Sequence, residues 1–167
     1  VLFRSSIEIN RMQIGDAFTG IAGPLGQPSE LHRYDPKKQT VVFTAGGLGL
    51  QHLARPDCRR LCVFGTGVQA RIQTSFALRL MPSLDELRYV SVDGAPDPAF
   101  EAQFAPRCRP QLATDRDAAV AASDLVITAT PGAGPLFSAS AVQPGTHLNC
   151  VGADTQGKRE LPPGLLE

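Results

Sequence analysis

From Asp57 onward the apolar positions switch repeatedly between two periods. Arg60–Phe64 (RLCVF) is a short β-favouring run that stops at Gly65, the pattern of a strand buried on both faces. Residues 67–80 then place Ala70, Ile72, Phe76, Ala77 and Leu80 at helix-compatible spacings, and Pro82 ends the run. Residues 87–92 (LRYVSV) alternate like a strand, 98–105 suit a short helix, and 110–113 a short third strand. A helix over 115–122 opens at Thr114 or Asp115, both good caps. Two further strands follow, at 124–129 (DLVITA) and, after the Gln143-Pro144-Gly145 turn, at 146–151 (THLNCV). Strands alternating with helices over short connections predict an α/β fold, a parallel sheet with helices on both faces. Ligands of such sheets lie at the carboxyl ends of the strands.

The first part of the chain reads differently. Residues 1–40 carry no clean period, being interrupted at Gly15, Gly20, Gly23, Pro24, Gly26 and Pro28; only 6–9 and 40–43 resemble strands. Residues 44–54 (TAGGLGLQHLA) carry Leu48, Leu50 and Leu53 in a partly helical pattern. Gly46, Gly47 and Gly49 each cost about 1 kcal/mol relative to Ala, so this helix needs packing to survive. Arg55-Pro56-Asp57 breaks it. The division expected is an irregular N-terminal segment over 1–43 and an α/β domain over 44–167.

Composition narrows the function classes. At 167 residues, 43% hydrophobic and 19% charged, the chain has the makings of one ordinary globular domain, not a disordered or coiled-coil segment. Its formal net charge of zero offers no electrostatic footprint for nucleic acid or an anionic membrane. Apolar runs such as 125–129 are too short to cross a bilayer, and the opening VLFRSSIEINR lacks the features of a secretory signal. Cys58 and Cys62 stand four apart, unlike a redox or zinc pair, and His32, His52 and His147 are scattered, so no metal is expected. Free thiols in a reducing, cytoplasmic setting are the simplest reading. The first residue is Val, so a piece of a longer protein is expected.

The chemistry centres on Gly65-Thr66-Gly67-Val68-Gln69-Ala70, a G-x-G-x-x-A placed after a strand and at the opening of a helix. Gly65 suits a tight turn, Gly67 lets a pyrophosphate approach the backbone, and Ala70 lets the helix pack close to the sheet. The free N–H groups of the helix start then face the phosphates. The alternative is a tight turn with no ligand. Asp93 follows the second strand, 28 positions after Gly65. A carboxylate there accepts ribose hydroxyls and repels a 2′-phosphate, favouring NAD, with NADP as the other choice; otherwise Asp93 is a turn residue before Gly94. Two later strand ends, Thr128-Ala129-Thr130-Pro131 and Val151-Gly152-Ala153-Asp154, emerge on the same edge, and their small residues leave room for a flat ring. Asp154 is either the acid aimed at that ring or a loop cap.

The series HLARPD, GTGVQA, SDLVITATP, PGTHLNCVGAD and GKRELPP resembles the ornithine cyclodeaminase/mu-crystallin family over residues 52–166. The resemblance implies a Rossmann-like half that uses NAD(P). It also implies hydride transfer at the C–N carbon of a small amino or imino acid, as in cyclodeaminases, ketimine or pyrroline-2-carboxylate reductases and certain alanine dehydrogenases. A dinucleotide-binding module or an inactive fragment, either without turnover, is the alternative, and a homodimer is implied for the whole protein. Carried over by position, Asp154 is the catalytic acid/base. Thr128, Ala129 and Thr130 line the cofactor, and Leu148, Asn149, Cys150 and Val151 form the strand beneath the nicotinamide. Lys158 serves either the cofactor or the loop. The family's Arg-Thr-Ala stretch, whose arginine grips the substrate carboxylate, has no match: Val41 or Phe43 falls there, and nothing places Arg33, Lys37 or Lys38 as substitutes.

Overall fold

A computed structural model of the chain describes residues 34–35, 40–41, 45–153 and 157–165. The expectations for 6–9, Arg33, Lys37, Lys38, Phe43 and Asp154 fall outside those residues. Two short strands, β1 (Tyr34–Asp35) and β2 (Thr40–Val41), pair antiparallel. Helix α1 (Ala45–Leu53) follows. The remaining elements are β3 (Arg60–Phe64), α2 (Val68–Leu80), β4 (Glu86–Val90), α3 (Pro98–Phe104), β5 (Arg109–Leu112), α4 (Arg116–Ala121), β6 (Leu125–Thr128), a 3-10 turn (Ala139–Ala141) and β7 (His147–Cys150). Every strand expected from 60 onward forms, β3 with the expected bounds and the others shortened or shifted at their ends; β4 stops at Val90 instead of Val92. Asp115, not Thr114, caps α4, its Oδ1 accepting the Ala118 N–H at 2.9 Å.

Strands β5-β4-β3-β6-β7 form one parallel sheet in that spatial order. This is the Rossmann-like arrangement: the chain builds outward from β3 in one direction, then returns to build β6 and β7 in the other. Pleating sends Leu61 and Val63 to one face, where they meet Ala70, Ala77, Phe100, Phe104 and Leu50 of the three helices α1, α2 and α3. Cys62 and Phe64 face the other side, against Ala119, Val120, Phe137 and Ala141. Both faces are therefore covered, which is why Leu61–Phe64 and the whole of β6 are buried without a polar alternation.

The glycine-rich α1 survives by close packing, as its composition requires. Gly46 lies so near β7 and α2 that a Cβ there would run into the Asn149 amide and come within 2.5 Å of the Gln73 Oε1. Glycine is thus what lets α1 approach the sheet, and this contact offsets the helix-propensity cost.

At the amino ends of the strands, one carboxylate gathers the chain. Asp124, at the entrance to β6, accepts from the N–H groups of Arg59 and Arg60 (3.1 Å each) and from the guanidinium of Arg60 (2.9 and 3.1 Å). Arg55 adds a further bond at 3.1 Å. The Arg60 guanidinium, helped by the two N–H groups, holds the Asp124 carboxyl well below the ordinary range despite the opposing effect of burial. Because the folded-state pKa is depressed, the stabilisation is fully present above the ordinary value of about 3.9 and is lost as pH falls below it. Both arginines are nearly half exposed, so the expected cost of Asp124→Asn at neutral pH is about 2 kcal/mol. Chemical denaturation across pH 3–7 should also show a shallower acid-side loss of stability in that variant than in the parent chain.

Candidate functional site

The carboxyl edge of the sheet carries the crevice where β3 and β6 part company. Two backbone bonds form its floor: Gly65 N–H to the Val90 carbonyl (2.9 Å) and Ala129 N–H to the Phe64 carbonyl (3.0 Å). Gly65 has φ +99°, a conformation L side chains rarely adopt, and a Cβ there would stand 2.7 Å from the Ala129 carbonyl oxygen. Gly67 is different: its backbone is extended, it caps α2 without a side-chain bond, and a Cβ on it would meet nothing within 4 Å. The first turn of α2 holds no acid, so its unpaired N–H groups and partial positive charge open onto free space. Ala70 is fully buried against the sheet, as close helix packing requires, while Thr66 is half-buried and Val68 and Gln69 are exposed.

A polar brace holds this turn from behind, and the sequence reading missed it. Arg71 donates from Nε to the Thr66 carbonyl (2.9 Å) and from its NH2 nitrogen to both oxygens of Asp97 (3.1 and 3.2 Å). Its guanidinium also lies 5.4 Å from the Phe100 ring centroid. Asp97 caps α3 by accepting the Phe100 N–H at 2.8 Å; that bond first, then Thr66 and Arg71, lower its pKa. The Asp97-Pro98 pair was the available signal, an acid cap followed by proline at the first helical position.

Beside the turn lies a cavity of about 220 Å³ bordered by Phe64, Val90, Ser91, Val92, Gly132 and Leu136. Its walls are mostly apolar, and Val92, 78% exposed, stands on its rim. Asp93 is placed just outside. With β4 ending at Val90, Asp93 falls in the exposed turn that follows, and its Oδ1 accepts the Ala95 N–H at 3.0 Å. The residue at the strand tip is instead Ser91, whose hydroxyl donates to the Ala95 carbonyl at 2.6 Å.

The ends of β6 and β7 sort the other expected residues by pleat. Thr130 and Ala129 are half-buried at the crevice, whereas Thr128 is fully buried and does not face it. Its hydroxyl donates to the Glu160 carboxylate at 2.7 Å. Leu148 packs toward the α4 face of the sheet, and Asn149 is turned the opposite way, under α1 and α2, with its Nδ2 3.5 Å from the Gln73 Oε1. These two are consequently supports beneath the site. Cys150 and Val151 are half-buried at the strand end, and burial above all pushes the Cys150 thiol up to about 11, so it is protonated at neutral pH. Lys158 is half-buried in the last described segment. Glu160, in that same segment, is 1% exposed and binds both strand ends; a lone acid between Arg159 and Leu161 had given no periodic signal of burial.

The two glycines of the turn should separate fold from binding. Gly65→Ala is expected to destabilise the chain by about 1–3 kcal/mol through backbone strain and overlap with Ala129. Gly67→Ala should leave the thermal midpoint nearly unchanged while weakening dinucleotide binding at least tenfold, because the new methyl occupies the phosphate approach. Thermal melts paired with titration calorimetry read both outcomes.

Comparison with known proteins agrees with this geometry. The model of the ornithine cyclodeaminase/mu-crystallin family matches residues 40–167. L-lysine cyclodeaminase of Streptomyces rapamycinicus is 35% identical over 118 residues, covering 69% of this chain and 34% of that protein. An archaeal alanine dehydrogenase dimer with bound NAD superposes with a TM-score of 0.65 at 29% identity, over 71% of this chain and 36% of that one. The Δ(1)-pyrroline-2-carboxylate reductase of Thermococcus litoralis, in complex with NADH and L-proline, gives a TM-score of 0.66 at 25% identity, over 73% and 38% respectively. The chain thus spans little more than a third of the length of the relatives it matches. With its sheet order, its glycine turn and residues 40–167 all in agreement, the chain belongs to the ornithine cyclodeaminase/mu-crystallin family.

Proposed function

We propose that this chain is the dinucleotide-binding part of an NAD-dependent oxidoreductase or deaminase acting on a small amino or imino acid. The observation that carries the reading is the Gly65–Gly67 turn at the switch between β3 and β6, with the α2 N-terminus open above it. The residues present fit the cofactor: the α2 N–H groups take the diphosphate, and the cavity beside Val92 takes the adenine. A bound nicotinamide supplies a hydride donor or acceptor for the carbon of a C–N bond. Thr130 and Ala129 form the wall of its path, and Cys150 and Val151 lie at the strand end beneath it. Asp154 then holds or takes the proton of the substrate nitrogen, so that the carbon and nitrogen change state together. Lys158 supports the loop or the cofactor's charge. The relatives support this reading, since they include an alanine dehydrogenase with NAD and a pyrroline-carboxylate reductase with NADH and proline.

Cofactor choice follows from the acid after β4. Asp93 engages the Ala95 N–H through one carboxylate oxygen, and its charge disfavours a 2′-phosphate, acting against Arg116 on the wall of the adenosine cavity. The whole protein is proposed to work as a homodimer in the cytoplasm; among the described residues no helix is long and apolar enough to cross a membrane. One feature favours a second reading, binding without turnover: Val41 or Phe43 occupies the place where the family resemblance puts its carboxylate-gripping arginine.

Side-by-side calorimetry should give tighter binding for NADH than for NADPH; a clear preference for NADPH removes the role given to Asp93. Asp154→Asn should abolish imino-acid reduction or amino-acid deamination while NADH affinity stays nearly intact. Normal NADH affinity with no NADH oxidation over a panel of amino and imino acids in the whole protein would establish the binding module instead.

A further inference from the structure

The loops after β6 and β7 are joined through one buried side chain. Oε1 of Glu160 accepts the Thr130 N–H (2.8 Å) and the Thr130 hydroxyl (2.9 Å). Oε2 accepts the Thr128 hydroxyl (2.7 Å) and the Gly152 N–H (2.8 Å). Each oxygen therefore faces one main-chain N–H, which only donates, and one hydroxyl, which is free to rotate. An ionised carboxylate accepts at both ends at once. A glutamine cannot: whichever way its amide is turned, an NH2 group confronts an N–H donor.

The clasp is asymmetric. Glu160 follows β7 in the chain, but its backbone is bonded to the loop after β6: its carbonyl accepts the Leu136 N–H at 2.9 Å, and the Arg159 N–H next to it reaches the Gly132 carbonyl at 3.4 Å. That loop, through Gly132, is also a wall of the adenine cavity. The side chain crosses from there to Gly152, beyond the last sheet bond of β7, which runs from the Val151 N–H to the Thr128 carbonyl (2.9 Å). Gly152 sits directly on the clasp: a Cβ there would strike the Glu160 carboxylate and stand 2.5 Å from the Thr130 carbonyl. With the adenosine half of a dinucleotide over β3 and β4, the other half runs over β6 and β7.

We propose that Glu160 is a positioning residue for the nicotinamide half: it fixes the loop after β7 against the adenosine-side wall, so the ring meets a floor already in place. This inference rests on the dinucleotide reading above. Glu160 itself is buried and touches no ligand.

The test compares NADH with ADP-ribose, which keeps the diphosphate and adenosine but lacks the ring. Both are titrated into the 167-residue chain and into Glu160→Gln, with circular dichroism checking that the variant is folded. The expected result is an NADH affinity about tenfold weaker in the variant, with ADP-ribose affinity within about twofold of the parent, because either amide orientation breaks one N–H bond of the clasp and loosens Gly152 against Thr130, while the α2 N–H groups that take the diphosphate are untouched. Equal weakening for both ligands marks a purely structural role and overturns the proposal, as does unchanged NADH affinity. If Glu160→Gln does not fold, Thr128→Val decides: it removes one hydroxyl from Oε2 and keeps the carboxylate. A selective loss of about threefold for NADH supports the proposal, and no selective loss overturns it. A parent chain that binds neither ligand overturns the dinucleotide reading and this inference with it, whereas a parent that binds both with no selective change in the variants overturns this inference alone.

Discussion

The contact between Gly65 and the Ala129 carbonyl governs the geometry of the crevice. β3 and β6 are neighbours in the sheet, and the chain must leave their carboxyl ends in two directions through the space between them. Only a residue without a Cβ passes so near Ala129, and only a positive φ turns the chain sharply enough to start α2 over the sheet edge. From that turn follow the exposed N–H groups of α2, the gap at Gly67 and the hollow beside Val92. The Arg71–Asp97 brace keeps the turn's carbonyl at Thr66 tied to the start of α3.

Two carboxylates at opposite ends of the sheet do related work by different means. Asp124 gathers arginines and main-chain N–H groups at the amino ends, where no ligand is expected, so its contribution is to stability. Glu160 sits at the carboxyl ends and takes its four bonds from N–H and hydroxyl groups only. A buried carboxylate satisfied in this way is costly to disturb, since the buried and half-buried donors around it lose their acceptor. Placed between the two ligand-facing loops, that cost becomes a constraint on their spacing.

The glycine turn of the candidate site reads almost directly from the chain, because it depends on local backbone chemistry. Gly65 and Ala70 each stand for a requirement that only a small residue meets, and their position between a strand and a helix needs no knowledge of distant residues. Strand ends were less legible. The alternation in 87–92 runs two residues past the last sheet bond of β4, since period alone does not say where a neighbouring strand stops. Asp93 therefore lies in a turn and Ser91 at the tip. Thr128 and Asn149 illustrate the same limit: a parallel strand is buried on both sides, so its sequence does not reveal which face each side chain takes.

By itself the sequence determined the class of fold, the order of strands and helices, the glycine turn and the family, because periodicity, small residues and short connections are properties of neighbouring positions. The tertiary structure alone decided which residues stand behind the site. Arg71 meets Asp97 across 26 positions, Gly46 meets Asn149 across 103, and Glu160 meets Thr128 across 32. Such pairings arise when strands distant in the chain become neighbours in the sheet, and nothing in the pattern of a single segment encodes its partner.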